Sequence, residues 1–279
     1  MGDMVFYKYS EGTYVCKNGC VRNKEGLRGK LILIFITGDC HGDYRRFRTD
    51  IFSEQKEMTK DDFVIICGDF GFWDESGEQK YWRKWLSGKS FTTLWVDGNH
   101  ENYDLLKTYP VERWKGGKVQ FITPDIIHLM RGQIFDIDGI RFFTFGGARS
   151  HDISGGILEL DDPDFKRKKK ELDHGFEPYR INHLSWWKEE MPEKSELEEG
   201  LRSLNQCGWK VDMIVSHCCA SSVQKEICGD RCECDTLTEY FEMIMNRCEF
   251  KKWIFGHYHE NRNVGKKFAV LYEQIVRIV

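Results

Sequence analysis

Five short polar clusters concentrate the residue types that bind metal ions, and each of them follows an apolar run. They read Gly38-Asp39-Cys40-His41, Gly68-Asp69, Gly98-Asn99-His100-Glu101, Ser216-His217 and Gly256-His257-Tyr258-His259. Five of the nine histidines of the chain lie in these clusters. Carboxylates combined with imidazoles suit zinc, manganese or iron, whereas magnesium alone favours oxygen ligands. The composition of the clusters therefore indicates a site for divalent metal ions.

The clusters are expected to meet because loops at the carboxyl ends of strands in an open α/β sheet converge on one crevice. A glycine beside most of the ligand residues lets the backbone approach a metal or a phosphate without a Cβ clash. Two ions about 3.5 to 4 Å apart clamp a phosphate and hold a hydroxide for in-line attack. Taken singly, each cluster is more typical of a turn, a cap or a structural histidine. The prediction of a metal site rests on their order and joint occurrence.

The segments that position the clusters alternate between strand and helix. Continuous apolar runs predict buried strands at 31–36, 63–67, 92–96, 212–216 and 252–255. Helices are predicted at 42–57, 78–87, 194–206 and 235–247. The runs 133–137 and 140–145 flank Asp138-Gly139, which predicts a hairpin. This order is typical of an α/β protein with some antiparallel strands.

The domain organisation is expected to be simple. Residues 1–30 are rich in Gly, Lys, Asn and Tyr without a clear helical or strand period, so they are interpreted as an N-terminal extension, with a small hairpin as one form. Residues 31–279 then form a single domain with a sizeable core.

Charge and composition exclude some classes of protein. A net charge of -4 and a pI near 6.2 argue against a protein that coats long nucleic acids, although a nucleotide or a short nucleic-acid end stays compatible. The basic run 166–170 is interpreted as a solvated helix face rather than a phosphate contact. No stretch approaches the length of a membrane span.

The 11 cysteines are an odd number, and Cys40 and Cys67 lie in or beside apolar strands. This usage favours a reducing, cytoplasmic location in which most cysteines are small buried hydrophobes. The spacing of Cys228, Cys232 and Cys234 does not match a standard zinc site and predicts a metal-free loop. Cys218-Cys219 adjoin a proposed ligand and are candidates to sense oxidation.

Asp-x-His, Gly-Asp, Gly-Asn-His-Glu, a strand-ending His and Gly-His-x-His in this order resemble the calcineurin-like metallophosphoesterase family, from about residue 37 to residue 260. The resemblance implies an α/β fold of the α+β type, with two mixed β-sheets packed face to face and helices outside. It implies one metal on Asp39, His41 and His259, and a second on Asn99, His217 and His257, with Asp69 bridging both. His100 would face the substrate and protonate the leaving oxygen.

The chain departs from the family at two positions. Many members continue Gly-Asp into a further Asp and an Arg, and here Phe72 and Trp73 stand in those places. This leaves His100 without an obvious carboxylate partner, for which Asp74 and Glu101 are candidates. Arg149 is a candidate for the missing phosphate contact, although a surface or ion-paired arginine is the alternative.

Two aromatic segments complete the candidates for the site. Phe70, Phe72 and Trp73, together with Trp186-Trp187, are candidates to line a substrate cleft, and the alternative is a place in the core.

The sequence thus predicts a metal-dependent phosphoesterase that attacks a phosphate monoester or diester with a dimetal-bridging hydroxide. His100 and Asp69 would be catalytic, and Arg149 and Asn99 would bind substrate. Two divalent ions are expected, of manganese, iron, zinc or nickel. The expected partner is a phosphate-ester small molecule, a nucleotide or a phosphoprotein. Two alternatives remain: a nuclease acting on DNA or RNA, and a binding scaffold that has lost catalysis.

Overall fold

A computed structural model describes the backbone of residues 6–10, 13–16, 20–23, 28–30 and 32–279, and the side chains from residue 32 onwards except residue 230. The four segments before residue 31 are strands β1 (Phe6–Ser10), β2 (Thr13–Cys16), β3 (Cys20–Asn23) and β4 (Arg28–Lys30). They pair in chain order as one antiparallel sheet. A domain boundary at residue 30 stays a prediction, and Leu31, where the first core strand was predicted to start, lies outside the described residues.

The remaining strands have the following bounds: β5 (Ile34–Thr37), β6 (Phe63–Cys67), β7 (Thr92–Val96), β8 (Val111–Trp114), β9 (Gly117–Thr123), β10 (Ile126–Leu129), β11 (Gln133–Ile137), β12 (Ile140–Phe145), β13 (Ile157–Leu158), β14 (Arg180–Ile181), β15 (Met213–Ser216), β16 (Lys252–Phe255), β17 (Arg262–Val264), β18 (Phe268–Val270) and β19 (Val276–Arg277). The predicted hairpin at Asp138-Gly139 joins β11 to β12. Each predicted core strand is present within a few residues of its expected bounds.

Two mixed sheets carry the fold. The first has the order β19-β5-β6-β7-β10-β9-β8, in which β5, β6, β7 and β10 are parallel. The second has the order β11-β12-β15-β16-β18-β17, in which β12, β15, β16 and β18 are parallel. Strands β13 and β14 form a separate short sheet. The predicted sandwich of two mixed sheets is confirmed.

The central core lies between the two sheets because both contribute apolar side chains to the same cluster. Ile36 and Ile65 from the first sheet pack in one cluster with Phe142 and Val215 from the second. Two further clusters cover the outer faces, one beneath the segment around Tyr44 and the other beneath the helices that follow β15. Burial on both faces explains why the parallel strands are continuous apolar runs.

The helices are α1 (Gly77–Ser87), α2 (Tyr103–Leu106), α3 (Phe165–Gly175), α4 (Lys194–Gln206), α5 (Ser221–Cys228) and α6 (Thr236–Arg247). The predictions at 78–87, 194–206 and 235–247 are confirmed by α1, α4 and α6. The prediction of a helix over 42–57 is wrong, since this segment contains only two short 3₁₀ turns. Its buried aromatic residues Tyr44, Phe47 and Phe52 are spaced three and then five apart, which does not keep a helical stripe.

The structure also describes the basic run and the cysteine-rich loop that the sequence analysis singled out. The run 166–170 lies on α3, where Arg167 pairs with Glu171 and Lys169 with Asp173, as expected for a solvated helix face. Cys228 and Cys232 form a disulfide. Within the described part of the chain, no helix has the length and apolarity needed to cross a membrane.

Candidate metal centre

The proposed ligands all follow parallel strands of the two sheets. Asp39 follows β5, Asp69 follows β6 and Asn99 follows β7 in the first sheet, while His217 follows β15 and the pair His257 and His259 follows β16 in the second. Because parallel strands end at the same edge, both sheets deliver these residues to one side of the sandwich. The strand order therefore brings together residues more than 200 positions apart in the chain.

The first group comprises Asp39, His41 and His259, whose ligand atoms lie within 4.8 Å of one another. His259 Nε2 is 3.1 Å from Asp39 Oδ2. His259 Nε2 is also 3.1 Å from His41 Nε2, so two imidazole nitrogens face each other. The backbone N–H of His257 donates to Asp39 Oδ1 at 2.9 Å and fixes the carboxylate. This group matches the first predicted ligand set.

Asp69 lies between the two predicted ligand sets. Its Oδ2 is 3.7 Å from His41 Nε2 and 3.4 Å from His217 Nε2. Its other oxygen accepts the backbone N–H of His100 at 2.9 Å. The side chain is buried, so its orientation is set by these neighbours. Asp69 thus has the placement that a bridging ligand requires.

The second set surrounds His217, which is fully buried. Nδ1 of His217 donates to the carbonyl of Cys67 at 2.8 Å, and because a carbonyl only accepts, this nitrogen carries the proton. In the neutral ring Nε2 is therefore the free ligand atom, and it lies 3.2 Å from Asn99 Oδ1. The ring of His257 is 5.0 Å from that of His217. Asn99, His217 and His257 are brought together as the resemblance implies.

Three glycines leave room for the ligands. A Cβ at Gly68 would lie 2.1 Å from Nδ1 of His217, and one at Gly98 would lie 2.0 Å from Oδ1 of Asp69. A Cβ at Gly256 would lie 2.0 Å from Oδ1 of Asp39. No side chain fits at these distances, which explains why a glycine accompanies the ligands.

Four of the proposed ligands have left-handed backbone conformations. Their φ angles are 47° at His41, 44° at Asp69, 67° at His257 and 50° at His259. A non-glycine residue in this region costs on the order of 1 to 3 kcal/mol and persists where its surroundings impose it. The concentration of such residues at one edge of the sandwich marks it as a functional site.

The charges of the cluster call for cations. Burial alone would lower the pKa of His217, but the carboxylates of Asp69 and Asp39 outweigh it and raise the pKa to about 10. His217 in turn holds the pKa of Asp69 below its usual range against the effect of burial. Among the described residues, no Lys or Arg forms a salt bridge with Asp39 or Asp69. The donor set therefore fits divalent ions that neutralise these carboxylates.

His100 lies beside the cluster, with a ligand atom within 4.8 Å of those of His41 and Asp69. Burial lowers its pKa, Asp69 opposes that shift, and the charge of Arg180 adds to it. Its ring and that of His41 are 5.3 Å apart. The position is that of a group facing a substrate at the metal centre, and the role of general acid stays a prediction.

The carboxylate candidates for His100 have other partners. Glu101 is buried and accepts the backbone N–H groups of Phe70 and Phe72, so it shapes the loop after Asp69. Asp74 accepts from the backbone of Ser76 at the start of α1. In the described residues neither carboxylate hydrogen-bonds the His100 ring.

The aromatic residues of the same loop divide into core and cleft. Phe70 and Phe72 are fully buried and contact Trp95, so their interpretation as cleft residues is wrong. Trp73 is 43% exposed, and its indole N–H donates to the carbonyl of His100. Trp187 lines the same cavity as Trp73 and His100. Trp73 therefore lines the cleft from outside the core, whereas Trp187 belongs to the core and also borders the cavity.

Arg149 is placed at the side of the cluster. Its side chain is 46% exposed and pairs with Glu233 at 3.4 Å. It borders a cavity with His151, whose Nε2 is 2.9 Å from Nε2 of the proposed ligand His257. The contact with Glu233 is the alternative anticipated from the sequence, and substrate binding by Arg149 stays a prediction.

Two further features of the site were not predicted. Ser150 receives the amide of Asn99 at 3.3 Å and is itself held by the buried carboxylate of Glu190. Arg180 lines the cavity next to His100. Ser150 could have been found because it adjoins Arg149, which the sequence analysis singled out. Glu190 ends a short 3₁₀ turn and Arg180 lies on the two-residue strand β14, and neither element has a period that would mark these residues.

The comparisons with known proteins agree with this geometry. An alignment 143 positions long, which covers 45% of the chain, is 28% identical to lariat debranching enzyme A of Xenopus laevis. An alignment 144 positions long, which covers 46% of the chain, is 26% identical to lariat debranching enzyme of Danio rerio. The matched parts span only 26% and 24% of these relatives. The family model described as calcineurin-like phosphoesterase matches residues 32–261. The chain belongs to the calcineurin-like phosphoesterase family, whose members use dinuclear divalent metal centres.

Proposed function

We propose that the protein hydrolyses phosphate esters at this centre, with Asp39, His41, Asp69, Asn99, His217, His257 and His259 as metal ligands. The observation that carries the proposal is the position of Asp69, whose buried carboxylate lies between His41 and His217. Membership of the phosphoesterase family supports the reaction class.

The residues of the chain prepare the site for an anionic ester. Divalent ions held by these ligands would supply Lewis-acid activation of water and would neutralise the phosphate charge. His217 presents Nε2 because Cys67 fixes its other nitrogen, and Ser150 with Glu190 orients Asn99. These outer contacts hold the ligand atoms in place before substrate arrives.

His100 is proposed to protonate the leaving oxygen, because it borders both Asp69 and the cavity outside the cluster. Its pKa is lowered by burial, so its protonated fraction falls as the pH rises through a value below 6.5. A general acid matters most for a poor leaving group. As the pH rises, turnover of esters with poor leaving groups is therefore expected to begin to decline at a lower pH than turnover of esters with good ones.

The test is hydrolysis of p-nitrophenyl phosphate and bis-p-nitrophenyl phosphate by stripped protein supplied with manganese, zinc, nickel or magnesium. Metal-dependent turnover that is lost in Asp69→Asn supports the proposal, and the preferred ester distinguishes a phosphatase from a phosphodiesterase. His100→Ala is expected to lose more activity on an alkyl ester than on a p-nitrophenyl ester. Equal losses on both would rule out the general acid.

A second candidate is cleavage of a branched nucleic acid, favoured by the two relatives named lariat debranching enzymes. The net charge of -4 disfavours extensive contact with a phosphate backbone. Incubation of the manganese-loaded protein with branched and linear oligonucleotides tests this candidate, since only the branched substrate should be consumed.

We further propose a cytoplasmic location, where the Cys228–Cys232 disulfide would be reduced without direct effect on the proposed ligands.

A further inference from the structure

A cavity of about 230 Å³ adjoins the metal centre on the side of His100. We define the His100 pocket by its lining residues, which are His41, Trp73, His100, Arg180, Leu184, Ser185 and Trp187. Two of the lining residues are thus the proposed metal ligand His41 and the proposed general acid His100. A group that leaves a phosphate towards His100 departs into this pocket.

Two of the large apolar residues that line the pocket, Trp73 and Leu184, lie outside the hydrophobic core, whereas Trp187 belongs to it. Trp73 is 43% exposed and Leu184 is 60% exposed, although both are large apolar residues. The indole N–H of Trp73 is bound to the carbonyl of His100, and that of Trp187 to the carboxylate of Asp104. Both rings are therefore held in fixed orientations, and an exposed, fixed indole is suited to stack on a planar ring.

The pocket also contains one oriented cation. Nε of Arg180 donates to Oδ1 of Asp152 at 3.1 Å, and its Nη2 contacts the other oxygen of the same carboxylate. Among the described residues, Nη1 of Arg180 has no hydrogen-bond partner. The side chain is only 23% exposed, which limits its freedom. A guanidinium held along one edge presents its remaining donors to an anion, and phosphate oxygens fit that geometry.

We propose that the His100 pocket is the leaving-group subsite, in which Trp73 stacks on a nucleobase and Arg180 binds a phosphate oxygen. The substrate class is then a phosphoester of a nucleoside. This inference rests on the proposed function for the position of the phosphate, and Arg180 takes the place that the sequence suggested for Arg149.

The test measures binding by calorimetry to the metal-loaded protein, with AMP, ribose 5-phosphate and inorganic phosphate as probes. Stacking of a base on an aromatic ring contributes enough to bind AMP about tenfold more tightly than ribose 5-phosphate. Trp73→Leu should abolish that preference and leave ribose 5-phosphate unaffected. Tyr81→Leu is the matched control because Tyr81 is an exposed aromatic of α1 that does not line the pocket.

Arg180→Met should weaken binding of all three probes about tenfold, because each carries the phosphate. Arg48→Met is the matched control, since Arg48 contacts Asp50 through the same two nitrogens on an exposed surface away from the pocket. Arg180→Lys keeps the charge without the planar donors and should give an intermediate loss. If Arg180→Met lowers the melting temperature, Arg180→Lys carries the test.

The outcomes separate this inference from the proposed function. Equal affinity of wild type for AMP and ribose 5-phosphate overturns the base subsite, even where esters are hydrolysed. Loss of phosphate binding in Arg149→Met but not in Arg180→Met overturns the assignment to Arg180. The expected binding pattern without turnover of any ester supports the pocket and contradicts the hydrolase.

Discussion

Asp69 and Asp97 are buried carboxylates that follow the neighbouring parallel strands β6 and β7, yet their charges are matched in different ways. Asp97 accepts from Nε of Arg131 at 2.8 Å and from Nη2 at 2.5 Å, so the chain itself supplies the cation. Asp69 has imidazoles as its charge partners.

The surroundings of Asp97 are also complete. His128 Nε2 lies 3.1 Å from Oδ1 of Asp97, and the hydroxyl of Tyr103 donates to Oδ2 at 2.9 Å. Arg131 continues to the carbonyl of Glu189 and to the carboxylate of Glu196. A buried charge with this many partners is satisfied without a ligand. The contrast shows that a strand-ending carboxylate indicates a metal site only where the described residues supply no Lys or Arg partner for it.

The largest expected effect is that of Asp69→Asn on activity. Loss of a group that only orients a metal ligand costs about 10- to 100-fold, so removal of Asp69, the proposed ligand of both ions, should lower activity roughly a thousandfold or more. Metal content by mass spectrometry should fall in parallel. Asp97→Asn is the matched control and should retain both ions. Full metal content in Asp69→Asn would mean that metal binding does not distinguish Asp69 from Asp97.

Arg131→Met should destabilise the protein by about 3 to 5 kcal/mol, because it leaves Asp97 charged and buried. Urea unfolding of the metal-free protein measures this loss. Lys169→Met removes an exposed partner of Asp173 on α3 and should change the free energy of unfolding far less, because water and salt screen that pair. The double variant Asp97→Asn/Arg131→Met should lose less than the sum of its single variants. If Arg131→Met lowered the free energy of unfolding by less than about 1 kcal/mol, Arg131 would not be the main partner of Asp97.

The strand-ending residues that the fold brings together could be singled out from the sequence because each combines a local apolar run with a ligand-type residue after it, and their role as metal ligands stays a proposal. Both features are visible in a short window of sequence, and the order of the clusters adds specificity. The role of Asp97 could not be predicted in this way, since it stands beside Gly98-Asn99-His100 and looks like part of the same cluster. Its cation, Arg131, comes from a turn 34 residues later.

The other features that the sequence did not predict correctly have related physical causes. Phe70 and Phe72 adjoin a ligand, but their place in the core depends on Trp95 from the next strand. Arg180 lies on β14, a two-residue strand with no apolar period. The buried aromatic residues of the segment 42–57 do not keep a helical spacing, and tertiary contacts, such as those of Arg46 with the carbonyls of Asp39 and Tyr272, hold the segment on an irregular path.

Metal affinity should rise with pH, because an ion that binds Nε2 of His217 displaces its proton. The pKa of His217 is about 10 in the metal-free fold, so affinity should rise about tenfold per pH unit between pH 6.5 and pH 10 for one released proton. The protonated pair contributes stability below pH 6.5 that is lost as the pH rises towards 10. Competition with a chelator at pH 7, 8 and 9 measures the affinity. A flat profile would mean that His217 is already neutral.

Among the changes around Asp97, Tyr103→Phe is expected to have the smallest effect, because it removes a hydroxyl without removing a charge. The hydroxyl of Tyr103 accepts from Arg131 at 2.9 Å and has Asp97 and the carbonyl of Gly98 within donor reach. Because the ion pair stays intact, we expect a loss of about 1 kcal/mol in urea unfolding. Metal content should not change. A loss as large as that of Arg131→Met would show that the hydroxyl, rather than the guanidinium, holds Asp97, and it would remove the cation from the explanation of how the two carboxylates differ.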